Sequence, residues 1–89
     1  MGALMNNSIL RTIVLTAEFQ PLSAQAVEVA SVDVTAVPGN LGPVIVRGAD
    51  GGEVAWIPGE YHSFQRVNLA EIRVRGTPGD HLTLVGGTW

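Results

Sequence analysis

The sequence predicts an all-β domain: a small antiparallel β-sandwich or barrel of about seven short strands, ending in a C-terminal β-hairpin. Three observations predict it. Apolar and polar residues alternate at period two in several stretches. Clusters of Gly and Pro interrupt those stretches at short intervals. No stretch keeps the apolar period of an amphipathic helix. With 89 residues a single domain is expected, with residues 1–7 as an N-terminal arm and residues 8–89 as the β domain.

Each element has its own local reason. The arm carries Ala3, Leu4 and Met5; it is either a frayed end or an arm that docks on a neighbouring subunit. Residues 8–17 are rich in β-branched side chains, as strands are. Both of their faces carry apolar groups, which suits a central strand or one at an interface. Glu18 to Ala24, with Pro21, reads as a loop.

Residues 25–37 form a long strand with a change of phase. Val27 and Val29 share one parity, Val32, Val34 and Ala36 the other. A bulge near Ala30-Ser31 would restore one buried face and send Asp33 to solvent. The run Pro38-Gly39-Asn40-Leu41-Gly42-Pro43 is a dense turn cluster. Val44 to Arg47 and Glu53 to Ile57 then pair as a hairpin around Gly48 to Gly52. Pro58-Gly59-Glu60 turns the chain, residues 61–66 are a strand anchored by Phe64, and residues 67–70 cross over with Leu69 tucked inward.

Residues 71–89 carry the clearest alternation. If Ile72, Val74, Leu82 and Leu84 form one buried face of a hairpin, Val74 opposes Leu82 and Ile72 opposes Leu84, because opposed residues share a face. Arg75 then lies opposite His81, and Arg73 opposite Thr83. A two-residue Pro78-Gly79 loop would mix the faces, and its type II turn suits hairpin twist poorly. A longer loop, Gly76 to Asp80, with a type II turn at its tip is therefore expected. Trp56 is expected in the core. Trp89, after a flexible Gly86-Gly87, either folds back on its own sheet or inserts into a neighbour.

Composition narrows the function. Hydrophobic residues make up 46% of the chain and charged residues only 15%, against about 25% in an ordinary domain. Such a domain covers its apolar surface poorly, so a homo-oligomer or assembly subunit is expected. There is no cysteine, which excludes disulfides and thiolate metal sites. There is no lysine; Arg11, Arg47, Arg66, Arg73 and Arg75 carry all the positive side-chain charge, and the net charge is −3. No basic patch argues for nucleic acid. No apolar run reaches the ~20 residues of a membrane span. The first residues resemble neither a secretion signal nor a myristoylation site.

The candidates for chemistry are few. His62 and His81 could hold zinc only with Glu60 or Asp80, and their spacing is wrong for a ligand set. Asp50-Gly51-Gly52-Glu53 lacks the spaced ligands of a calcium loop and reads as a hairpin loop. Ser8, Ser23, Ser31 and Ser63 have no nucleophile-elbow context. The glycine clusters precede no helix and make no phosphate loop. No catalytic residue, metal or cofactor is assigned. Arg73 and Arg75 are either a solvated strand face or a face that meets an acidic partner surface. The candidate partner-binding residues are thus Leu4, Met5, Arg73, Arg75 and Trp89.

One further likeness rests on particular strings: Trp56-Ile57-Pro58-Gly59-Glu60-Tyr61-His62, then Asn68 through Asp80, with Gly-Thr-Pro-Gly-Asp at its end, and Val85-Gly86-Gly87-Thr88-Trp89. Over roughly residues 8–89 the chain resembles small virion proteins from the structural modules of tailed bacteriophages. Asn68 stands where that pattern has aspartate. The resemblance implies a non-enzymatic capsid decoration or cement subunit, a β-sandwich that is commonly trimeric and seated on the major capsid protein. It implies a place in the virion, after assembly in the host cytoplasm. A neck or tail subunit is the alternative within that group. A glycan- or receptor-binding β-module, stacking sugars on Tyr61, His62 and Trp89, is the alternative outside it.

Overall fold

A computed structural model describes residues 7–88. Leu4, Met5 and Trp89 lie outside the described residues. The strands are β1 (Asn7–Val14), β2 (Gln20–Pro21), β3 (Glu28–Ala36), β4 (Val44–Arg47), β5 (Glu53–Trp56), β6 (Tyr61–Asn68), β7 (Arg73–Arg75) and β8 (His81–Thr88). The first sheet has the order β1-β8-β3-β6 and the second β2-β7-β4-β5. All pairs are antiparallel. The molecule is a small β-sandwich, as the alternation required.

The core lies between the sheets. Val29, Val32 and Val34 of β3 and Leu82 and Leu84 of β8 enter it from the first sheet. Val44, Val46 and Trp56 enter from the second, together with Val74. Each fully buried Val or Leu contributes about 1.5–3 kcal/mol. Leu69 is wholly buried, on a 3-10 turn (Leu69–Glu71) that carries the chain from β6 to β7. Asn68 caps that turn: its Oδ1 accepts from Ala70 N and Val27 N.

The expected C-terminal hairpin does not form. β7 lies in the second sheet and β8 in the first. Ile72, Val74, Leu82 and Leu84 are all buried as expected, but the two strands bring them to the core from opposite sides. Val74 neighbours Gln20 and Val46; Leu82 neighbours Ile13 and Ala36. The type II geometry itself is present. Asp80 N donates to Thr77 O at 3.0 Å, and Gly79 has φ of 92°. A type II turn splays the strands it joins, so the chain leaves one sheet for the other. Pro58-Gly59 repeats the device between β5 and β6: Glu60 N donates to Ile57 O at 2.9 Å and Gly59 has φ of 90°. The β4–β5 hairpin forms in the expected place, with Val44 opposite Trp56.

Four further expectations change. The expected loop at residues 18–24 contains a two-residue strand, β2, which pairs with β7 at the edge of the second sheet. β1 is an edge strand of the first sheet, not a central one; its Leu10 and Val14 are exposed on the outer face. The phase change in β3 occurs where expected but without an extra residue. The register is the same on both sides of it, and Ala30 drops out of pairing opposite Arg66. Arg66 has φ of 55°, so both strands change phase together. Lastly, Gly86 and Gly87 are part of β8, held between β1 and β3. A Cβ on Gly86 would meet Ser31 O and lie 2.8 Å from Val32 Cα. The glycine there admits close approach of a neighbouring backbone.

Loops are fastened where the sheets exchange chain. Asp80 is buried, and its carboxylate accepts from Leu41 N and Gly42 N at 2.9–3.1 Å. Asn40 reads the backbone of His81 in both directions: Nδ2 donates to His81 O, and Oδ1 accepts from His81 N, each at 2.9 Å.

Candidate functional site

The second sheet gathers most of the arginines on its outer face. Val74 is fully buried, so its strand neighbours Arg73 and Arg75 point away from the core. Neither stands opposite His81 or Thr83. Arg73 is opposite Arg47, and Arg75 opposite Ile45. Residues opposed across an antiparallel pair share a face, so Arg47 joins the other two. Three of the five arginines of a lysine-free chain thus lie on one side of a molecule whose net charge is −3.

Two groups let these cations sit together. Glu53, opposite Arg47 on β5, accepts from its Nε at 3.0 Å and Nη2 at 2.6 Å through Oε2. Phe19, just ahead of β2, lies beneath two guanidinium groups: Arg47 Cζ is 4.0 Å and Arg75 Cζ 5.1 Å from the ring centroid. A ring face attracts cations, so Phe19 offsets part of the repulsion. Both members of the Arg47–Glu53 pair are 39% exposed; solvent screening leaves such a pair about 0–1 kcal/mol of stability. Arg73 borders a shallow hollow of about 360 Å³ with Gly48, Ala70 and Glu71. The hollow is open, and its charged lining is mixed: the Arg47 and Arg73 guanidinium groups stand with the Glu71 carboxylate.

The other sequence candidates are dispersed. His62 leaves the edge of β6 toward Trp56, with ring centroids 4.7 Å apart, and its Nε2 is 2.6 Å from Glu60 Oε2. That bond, with Ile57 N donating to Glu60 Oε1, holds the Glu60 carboxyl below its ordinary value. Tyr61 opposes the outward-facing Thr35 whereas His62 opposes the buried Val34. The two therefore lie on opposite faces of β6 and form no common stacking platform. His81 is across the molecule's first sheet, opposite Val14. Among the described residues no three His, Asp or Glu side chains converge as a metal site.

Sequence reasoning missed Arg47 and Phe19. Arg47 could be read as outward from the Val44-Ile45-Val46-Arg47 alternation. Its neighbour could not, because β4 and β7 are joined across 25 intervening residues, 48–72.

No protein-family model matches the chain, and no curated protein does. Among solved structures it is similar to the crystal structure of protein NMB1881 from Neisseria meningitidis. The TM-score is 0.55 at 20% identity, over 91% of this chain and 72% of that one. The likeness is one of fold. It supports the sandwich architecture and leaves the arginine face to be argued from its own residues.

Proposed function

We propose that the chain is a non-enzymatic structural subunit of a tailed-phage virion, a capsid decoration or cement protein that docks on a shell protein. The observation that carries the reading is the Arg47, Arg73 and Arg75 cluster on one open sheet face of an otherwise acidic domain. Complementary charge orients a subunit and speeds its encounter with an acidic surface. Many copies, each burying a modest interface across the joints of a shell, add by avidity. The string resemblance to virion proteins supplies the setting. No turnover chemistry is needed for that work.

The test is sedimentation of the purified chain with shells of the parent phage assembled without it, at low and moderate salt. Binding that weakens with salt and falls at least about tenfold for R73Q/R75Q is expected, since two charge-assisted contacts are lost. Binding unchanged by salt and by both substitutions would remove the basis of the proposal.

A further inference from the structure

Among the described residues the sandwich has four sheet edges, and three of them are blunted. β2 spans two residues and contains Pro21. β5 spans four residues. β6 is broken by Arg66 at φ of 55°. Short strands, proline and local breaks are the means by which sheets avoid pairing with other chains. β1 has none of them. It is eight residues long, continuous in register from Asn7 to Val14, with Arg11 its one charged residue. Among the described residues no strand covers its outer side.

The backbone pattern says which groups that edge offers. Leu15 N donates to Asp80 O just beyond the β1–β8 ladder. Bonding alternates along an antiparallel strand, so the odd-numbered residues bond toward β8 and Ser8, Leu10, Thr12 and Val14 direct N–H and C=O outward. Gln20 confirms the direction at one end: its Nε2 donates to Val14 O at 2.9 Å. The open stretch is therefore Ser8 to Thr12. It is centred on Leu10, which is 72% exposed.

We infer that this edge takes a second copy of the chain, pairing β1 with β1 antiparallel about a two-fold axis at Leu10. That register sets Leu10 opposite Leu10 of the partner and Ser8 opposite Thr12. Each of the three exchanges both of its backbone bonds, and the Gln20 bond to Val14 is kept. It also sets Arg11 opposite Ile9. A two-fold axis at Arg11 would place two guanidinium groups opposite each other, which is unfavourable. One at Thr12 would need the Val14 carbonyl that Gln20 already occupies. The product is one continuous sheet across the dimer, with its outer face extended from Tyr61 of one copy to Tyr61 of the other. A strand edge meeting itself gives an isologous dimer, whereas a three-fold assembly needs two different surfaces. The inference is independent of the arginine face, which is on the other sheet.

The experiment measures the mass of the full chain in solution by sedimentation and native mass spectrometry, with single-cysteine crosslinking to read the register. The wild type is expected to be a dimer. Thr12→Pro removes one outward N–H per copy and leaves the β8 ladder bonded, so it should weaken the dimer about tenfold or more while the domain stays folded. Leu10→Lys, a second variant with a charge at the axis, should do the same. In this cysteine-free chain, L10C should oxidise to a covalent dimer, since opposed Cα atoms there lie about 5.5 Å apart; T12C, displaced from the axis, should not. R73Q/R75Q should dimerise like wild type. A trimer, or a crosslink through T12C rather than L10C, would overturn the inference. So would a monomer that dimerises only once residues 1–6 are removed, because the chain's own first residues would then occupy the edge.

Discussion

The outer face of the first sheet carries Leu10, Val14, Val85 and Tyr61, with Thr12, Thr83 and Thr35 in one row across three strands. The outer face of the second carries Arg47, Arg73 and Arg75 above Phe19. Both faces come from strands of the same alternating design. The inner positions must be alike, because they fill one core between them. The outer positions answer only to strand preference and solvent, so they are free to diverge. The first face is sparsely charged, with Asp33 exposed opposite Val85 and His81 opposite Val14, and the second is cationic. A sparsely charged face beside an open strand edge brings little charge repulsion against a copy of itself. A cationic face repels its own copy and suits an acidic surface.

Both faces depend on the one core between the sheets, and the most severe loss is expected from a change inside the first sheet. Gly86→Val would press a side chain into Ser31 and Val32 of β3. We expect a loss of about 3 kcal/mol or more, seen as a collapse of the urea midpoint, with both faces lost together. Asp80→Ala acts on the joint between the sheets. It leaves the Leu41 and Gly42 N–H groups without their acceptor, and a loss of about 1–3 kcal/mol is expected in the same measurement.

Substitutions on the outer faces should separate binding from folding. R47Q ends the contacts to Glu53 and the Phe19 ring, yet its effect on the urea midpoint should stay within about 0.5 kcal/mol. Shell binding should nevertheless fall, as is expected for R73Q/R75Q. Equal losses of stability and binding would show that the arginines serve the fold instead.

The smallest effect is set by pH. Glu60 is held below its ordinary value of 4.5, first by His62 and then by the Ile57 N–H. A lowered folded-state value adds stability that is present above 4.5 and lost as pH falls through the lowered value. Because the carboxyl is exposed, the change in melting temperature between pH 5 and pH 3 should be slight. E60Q should remove that part of the acid dependence, and an unchanged acid profile in E60Q would contradict the assignment.

Many of the residues that would be buried were legible in the chain, as were the Pro-Gly turns; the burial of Leu15 and Leu22, and the short strand β2 inside the expected 18–24 loop, were not. Val29, Val32, Val34, Val74, Leu82 and Leu84 follow from alternation alone, and the phase change at Ala30 was visible in the valine parity. Even the failure of the last hairpin had a local sign. Pro78-Gly79 predicts a type II turn, which is poor at joining paired strands, and the same signal at Pro58-Gly59 marks the other crossing of this kind.

What the chain determined by itself is therefore local: strand periodicity, turn type through the φ of Pro and Gly, and a shortage of charge that leaves apolar side chains such as Leu10 and Val85 exposed. Which strands lie side by side was decided only by the tertiary structure. A β-strand satisfies its backbone with a neighbour that is distant in sequence, and period two states which face is buried without naming that neighbour. So the opposition of Arg47 to Arg73, the placement of Phe19 beneath two guanidinium groups, and the exposure of β1 at an edge all came from the packing of two sheets around one core.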